Sequence, residues 1–215
     1  MKSSILCYAI ACCLTLWFTD AAAQTGRWIS LFDGKTLSGW KASENEPSFR
    51  VEDGCIVQEG PRSHLYYMGD VGSHVFKNFE FKAQVYTFEN ANSGVYFHTR
   101  FQENGFPNYG YEVQVNNSHR DAIRTGSLYN VVDIADKYAI DGEWFELYIK
   151  VVGNHVIIKV NGTTVVDYTQ MTDKSRLVRK DDHFGRYVES GTFAIQAHDP
   201  GSKVKYKDIQ VKILD

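Results

Sequence analysis

The sequence is poor in cysteine, in proline and in excess charge of either sign, and each shortage excludes something. Of the four cysteines, Cys7, Cys12 and Cys13 lie in the first 23 residues, which leaves Cys55 alone in the rest. Residues 24–215 therefore have no intrachain disulfide and no cysteine-built metal site. Cys55 follows a turn and alternates with Val57, as a small core residue would. Lys and Arg number 23 against 26 Asp and Glu, for a net charge of −3. A nucleic-acid partner is not expected, because neutralising phosphates takes clustered basic side chains. With only 4 prolines and with 13 Tyr and 13 Phe, the chain is rich enough in aromatics to fold rather than stay disordered. After residue 23 no apolar run nears the ~20 residues that cross a bilayer, so no membrane partner is expected there. The sequence has no G-x-S-x-G elbow, no G-x-x-x-x-G-K-[ST] loop and no H-E-x-x-H motif.

What is present begins with an export signal. Lys2 supplies a positive start, Ile5 to Phe18 is mostly apolar, and Ala21-Ala22-Ala23 is a small-residue cleavage site. Residues 1–23 read as a signal peptide cut before Gln24, with residues 24–215 as a single domain, exported to a periplasm or the cell exterior. Asn116 and Asn161 sit in glycosylation sequons, which matter only in a eukaryotic secretory route.

The remainder reads as strands. Asp53-Gly54 and Asn161-Gly162 each separate two short apolar-rich runs, as type I′ hairpin turns do. Between turns the period is two. Phe79, Phe81, Ala83 and Val85 alternate with Glu80, Lys82 and Gln84, and Phe145, Leu147, Ile149 and Val151 with Glu146, Tyr148 and Lys150. One apolar and one polar face per strand predicts an all-β fold, two antiparallel sheets stacked as a jelly-roll sandwich. A short helix is expected within Asp133 to Ile140. Thr169 to Ser190 is long and polar, a candidate functional loop or flap.

Three polar faces differ from ordinary solvated ones. Gly94, Tyr96, His98 and Arg100 share one, Gly110, Glu112 and Gln114 another, and Ala194, Gln196 and His198 a third. Small residues beside aromatic, amide, imidazole and carboxylate groups suit a polyhydroxylated ligand; the alternative is a solvated sheet face. His98 and His198 are the candidates for a divalent metal, though two histidines fall short of a full ligand set. Arg124, flanked by small residues, is expected either to orient Glu112 or hold a substrate oxygen, or else to pin its own loop. Trp28, Trp40 and Trp144 read as core or hairpin anchors, and Lys203, Lys205 and Lys207 as a solvated strand face. Ordinary glycoside hydrolysis needs two carboxyls around the scissile bond. Laminarinase-type jelly rolls carry them as E-x-D-x-x-E, whereas Glu112 to Asn117 has only the first.

Several segments, in order and spacing, resemble a known family. They are Ile29-Ser30-Leu31-Phe32-Asp33-Gly34-Lys35-Thr36-Leu37-Ser38-Gly39-Trp40, Val51-Glu52-Asp53-Gly54, Asn92-Ser93-Gly94-Val95-Tyr96-Phe97, Gly110-Tyr111-Glu112-Val113-Gln114-Val115, Arg124-Thr125-Gly126-Ser127-Leu128-Tyr129 and Gln196-Ala197-His198-Asp199-Pro200-Gly201-Ser202. The chain resembles, from Trp28 to Leu214, the 3-keto-disaccharide hydrolase family of 3-keto-glycoside 1,2-lyases and 3-keto-2-hydroxy-glucal hydratases. The family often has an Asp where this chain has Asn116-Asn117, and many members have Arg at the position of His98.

The resemblance implies a concanavalin A-like jelly roll and a carbohydrate-active enzyme. It implies that a base removes the C2 proton of a 3-keto-glycoside, that the C1 aglycone leaves, and that water then adds, for net hydrolysis. On that basis His198 or Glu112 is the base, and Arg124 stabilises the enolate or orients Glu112. Tyr96 or Tyr129 donates to the carbonyl or leaving oxygen, and Gln114 and Gln196 bind hydroxyls. His98 assists, or joins His198 around a divalent metal. A sugar 3-dehydrogenase is the implied upstream partner. The competing expectations are a non-catalytic lectin-like module and a conventional glycoside hydrolase.

Overall fold

The computed structural model describes residues 24–172 and 187–215. The segment 1–23, expected to be a signal peptide, and most of the candidate loop 169–190 lie outside the described residues. The strands are β1 (Trp28–Ser30), β2 (Trp40–Ala42), β3 (Phe49–Glu52), β4 (Cys55–Glu59), β5 (Ser63–Tyr67), β6 (Asn78–Thr87), β7 (Ser93–Thr99), β8 (Tyr111–Val115), β9 (Trp144–Val152), β10 (His155–Val160), β11 (Thr163–Thr169), β12 (Thr192–Ala197) and β13 (Lys203–Leu214). They form two antiparallel sheets, a jelly-roll sandwich as expected. The larger has eight strands, in the order β11-β10-β9-β6-β13-β4-β3 with β1 also on β13; the smaller has five, in the order β2-β5-β12-β7-β8.

The period-two pattern explains the packing. Phe79, Phe81 and Val85 of β6 and Phe145, Leu147 and Ile149 of β9 point inward from the large sheet. They meet Leu65, Val95, Phe97, Val113, Phe193 and Ile195 of the small sheet in one core cluster. Phe193 anchors it, its ring centroid 4.7–4.9 Å from Phe76, Phe79 and Phe81. Each such ring, fully buried, contributes roughly 1.5–3 kcal/mol. Both foreseen hairpins hold: Asp53-Gly54 and Asn161-Gly162 have positive φ at both residues, as a type I′ turn requires. Trp40 is buried and its indole N–H donates to the Leu31 carbonyl at 2.8 Å. Trp28 and Trp144 instead lie under Lys82 and Lys207.

Three expectations change. Among the described residues there is no α-helix, and 133–140 is irregular. Its backbone bonds outward instead: Arg124 N–H donates to the Ile134 carbonyl, and the Ile134 N–H donates to the Ser127 hydroxyl oxygen. Cys55 is buried, but on the face of β4 opposite the core residue Ile56. His98 does not share a face with Tyr96. Thr192 pairs with Thr99 but Ala194 with Tyr96, so β7 bulges there, and His98 sits in the bulge at φ 54°. Its ring turns onto Phe79 and Phe97, at 5.5 and 5.4 Å.

Two glycines accommodate that bulge. A Cβ on Gly191 or Gly110 would overlap the backbone of residues 97–99, and Gly110 is also at φ 77°. Gly162, at φ 78°, faces open space. Gly162→Ala is therefore expected to cost about 1 kcal/mol, and Gly110→Ala, strained and overlapping, about 2–4 kcal/mol. Urea denaturation midpoints would test this; equal costs would mean that the bulge yields freely.

Candidate active site

The small sheet is unusual in being buried on both faces. Strands β5, β7, β8 and β12 have no exposed residue, whereas β6 and β9 alternate buried with half-exposed positions. The polar face is thus not a solvated one: Tyr96, Glu112, Gln114 and Gln196 are exposed by 3, 5, 1 and 2%.

Glu112 organises this face. Its carboxylate accepts the Tyr96 hydroxyl at 2.7 Å and the Gln196 side-chain amide N–H at 3.2 Å, and that same amide nitrogen donates to the Tyr96 oxygen at 3.1 Å. The carboxylate lies over Gly94, where any Cβ would collide with it. Gln114, two residues along β8, donates to Asn92 Oδ1 at 2.9 Å. Tyr129 joins the sheet edge through its backbone N–H, which donates to the Glu112 carbonyl at 3.0 Å.

Aromatic and imidazole rings continue from this group. His64 packs edge-on to Tyr96 at 5.4 Å and to Phe106 at 5.7 Å. Phe106 reaches His198 at 6.2 Å, and His198 reaches His119 at 5.9 Å. His119 meets Asn92 at 3.3 Å, which leads back to Gln114. Glu112, Tyr96, His64, Phe106, His198, His119, Asn92 and Gln114 thereby form a connected ring of side chains.

His198 carries a built-in tautomer. Its Nδ1 lies 2.7 Å from Asp199 Oδ2 and donates to it, which leaves Nε2 as the basic nitrogen. Burial pushes the Asp199 carboxyl up, but hydrogen bonds from His198, Ser202 and Gly201 outweigh it and hold the group below its ordinary value. His119 has the complementary arrangement. The Asp121 N–H donates to its Nδ1 at 3.2 Å, so the ring proton sits on Nε2. Burial, opposed by Asp199, lowers its pKa and keeps it neutral.

Arg124 does not reach Glu112. Its guanidinium donates to Asn116 Oδ1 and to the carbonyls of His119 and Asp121 at 3.1, 2.8 and 2.7 Å, so it pins the turn that presents His119. Asn116 serves the same turn, donating to the Asp121 and Ile123 carbonyls, which an Asp could not do. His98 is also spent: Nε2 donates to the Lys77 carbonyl at 3.0 Å and Nδ1 accepts the Glu189 N–H at 3.1 Å. With both nitrogens taken, His98 and His198 do not form a metal pair. Among the described residues no group of three or more His, Cys, Asp or Glu side chains is arranged to hold an ion. The residues described do not fit the divalent metal.

The sequence reading missed His64, His119, Asn92 and Asp199. His64 had a signal, since it alternates with Tyr66 on a strand of the same mixed polar and aromatic type. Asp199 adjoins His198. His119 lies in an irregular turn with no periodicity to expose it.

The family model for the 3-keto-alpha-glucoside-1,2-lyase-like domain matches residues 27–212. The chain belongs to that family. A search among curated proteins finds no match. The chain is similar to a solved structure described as a "putative glycosyl hydrolase" from Parabacteroides distasonis ATCC 8503, at 22% identity and TM-score 0.74, over 92% of this chain and 97% of that one. A second such structure from the same organism is 19% identical with TM-score 0.66, over 87% of this chain and all of the other (100%). The carbohydrate binding module CBM66 from Bacillus subtilis is 10% identical with TM-score 0.57, over 81% and 95% of the two chains. At such identities these likenesses establish the shared fold.

Burial of the histidines sets a pH dependence. Burial lowers the pKa of His64 from 6.5 to about 3 and that of His98 from 6.5 to about 4. Both stay neutral in the folded protein but take up a proton near pH 6.5 when unfolded. Their contribution is complete above that pH and is lost as pH falls towards the folded values. At pH 5 each removes about 2 kcal/mol of stability relative to neutral pH. Denaturation at pH 7 and 5 should show this loss, and His64→Phe should remove one share of it. An unchanged slope in His64→Phe would contradict the burial argument.

Proposed function

We propose that the protein cleaves 3-keto-glycosides by removing the C2 proton and expelling the C1 aglycone, with His198 as the base. The observation that carries this is the His198–Asp199 pair, set two residues beyond Gln196 and joined through the side-chain ring to Glu112. The C2 proton passes to His198 Nε2, and the pair of electrons from the C–H bond forms the enolate of the C3 ketone. Asp199 stabilises the imidazolium so formed. The neutral His119 Nε2–H donates to the developing enolate oxygen. As the enolate collapses to the C1–C2 double bond, the C1–O bond breaks, and the leaving oxygen takes the proton held by His198. The products are a 2-hydroxy-3-ketoglucal and the free aglycone; addition of water gives net hydrolysis.

Glu112 has a holding part in this scheme. Tyr96 and Gln196 fix the position of its carboxyl group, and it binds a sugar hydroxyl beside Gln114. Of the described carboxylates around this face, Glu44 is paired with Arg62 and Asp199 with His198. That arrangement disfavours the two-carboxylate route of ordinary glycosidases and suits an elimination that needs one base. Export through residues 1–23 and an upstream sugar 3-dehydrogenase belong to the same proposal.

The test uses a 3-keto-glucoside in D₂O, followed by NMR and ultraviolet absorbance. His198→Ala is expected to lower kcat by ~10²–10⁴-fold and to abolish deuterium exchange at C2. Glu112→Gln should chiefly raise KM. Full turnover in His198→Ala would remove the base assignment. Tight binding of unmodified sugars with no turnover would establish a lectin instead.

A further inference from the structure

His64 and Gln196 hold polar atoms that the fold leaves unsatisfied. Both ring nitrogens of His64 and Oε1 of Gln196 are fully buried and have no hydrogen-bond partner. His64 is 0% and Gln196 2% exposed. Such orphans are rare and costly, and a pair of them in one place calls for a missing partner.

Their placement defines that partner. Gln196 on β12 is directly opposite His64 on β5, so their side chains share one face and start as cross-strand neighbours. The amide of Gln196 cannot flip. Glu112 only accepts, so the NH₂ must face it and Tyr96, on the β7 and β8 side. Because the amide is planar, Oε1 then faces the β5 side, where His64 stands. Burial keeps the imidazole neutral, with one N–H and one lone pair.

We propose that a sugar hydroxyl bridges these two groups, donating to Gln196 Oε1 and accepting from the ring N–H of His64. The partner must give a hydrogen bond to Oε1, and a hydroxyl that has given its one proton there takes the bond from His64. A ketone cannot give one, so the C3 oxygen of a 3-keto sugar is excluded and an unoxidised secondary or primary alcohol binds here. Phe106, on the segment between β7 and β8, packs edge-on to His64 on this face. The inference rests on the sugar-binding part of the proposed function and not on its elimination step.

Methyl 3-keto-glucoside and its 4-deoxy and 6-deoxy analogues are the probes, titrated into the ¹⁵N-histidine-labelled protein, with turnover assayed in parallel. One ring nitrogen of His64 should shift on saturation with the parent sugar. One deoxy analogue should bind the wild type roughly 10–100-fold more weakly. His64→Phe keeps a ring of similar size, and should bind the parent sugar that much more weakly and no longer discriminate that analogue. If the wild type binds and turns over the sugar while the His64 nitrogens do not move, a permanent buried water fills the site and the subsite is wrong, while the proposed function stands. If the wild type neither binds nor turns over any probe, the sugar reading falls and the subsite falls with it.

Discussion

A buried carboxylate sets the terms for this protein. Glu112 is 5% exposed on a sheet face, and a carboxylate removed from water is tolerated only when its oxygens are hydrogen-bonded. Tyr96 and Gln196 meet that need. Gly94 follows from it, because the carboxylate occupies the space a Cβ would take. The amide orientation of Gln196 follows as well, and that orientation turns an unsatisfied oxygen towards His64. One buried carboxyl group thus fixes the geometry of its neighbours across four strands.

Around it the molecule separates rigidity from chemistry. The large sheet supplies the apolar wall against which the small sheet is flattened, through Phe79, Phe81 and Phe145. The reactive-type groups sit where strands end or loops begin: His198 and Asp199 just past β12, and His119 in the turn after β8. That turn is held by Arg124 and Asn116, which satisfy its carbonyls without touching the carboxylate. The charge of Arg124 therefore acts through position. A cation spent on three loop acceptors serves to keep an imidazole in place, which in the proposed chemistry is the donor to the enolate oxygen.

Much of the fold was legible in the chain. The period of two in β6 and β9, and the turns Asp53-Gly54 and Asn161-Gly162, were enough for an antiparallel sandwich, because burial of one face per strand is a local pattern. Tyr96, Glu112, Gln114 and Gln196 could be grouped for the same reason: alternation places them on one face. Alternation also misled at His98. A single bulge, visible only in the pairing of β7 with β12, turns that ring onto the core side and spends both its nitrogens on backbone groups.

The sequence by itself determined the architecture and the composition of one polar sheet face, since both depend on residue spacing along single strands. Only the tertiary structure decided who meets whom. It brought His64 of β5 beside Gln196 of β12, closed a ring of side chains through Phe106 and His119, and withheld Arg124 and His98 from it. Those outcomes depend on strand order, on one bulge and on where loop backbone groups find partners. None of these is encoded in the spacing of neighbouring residues.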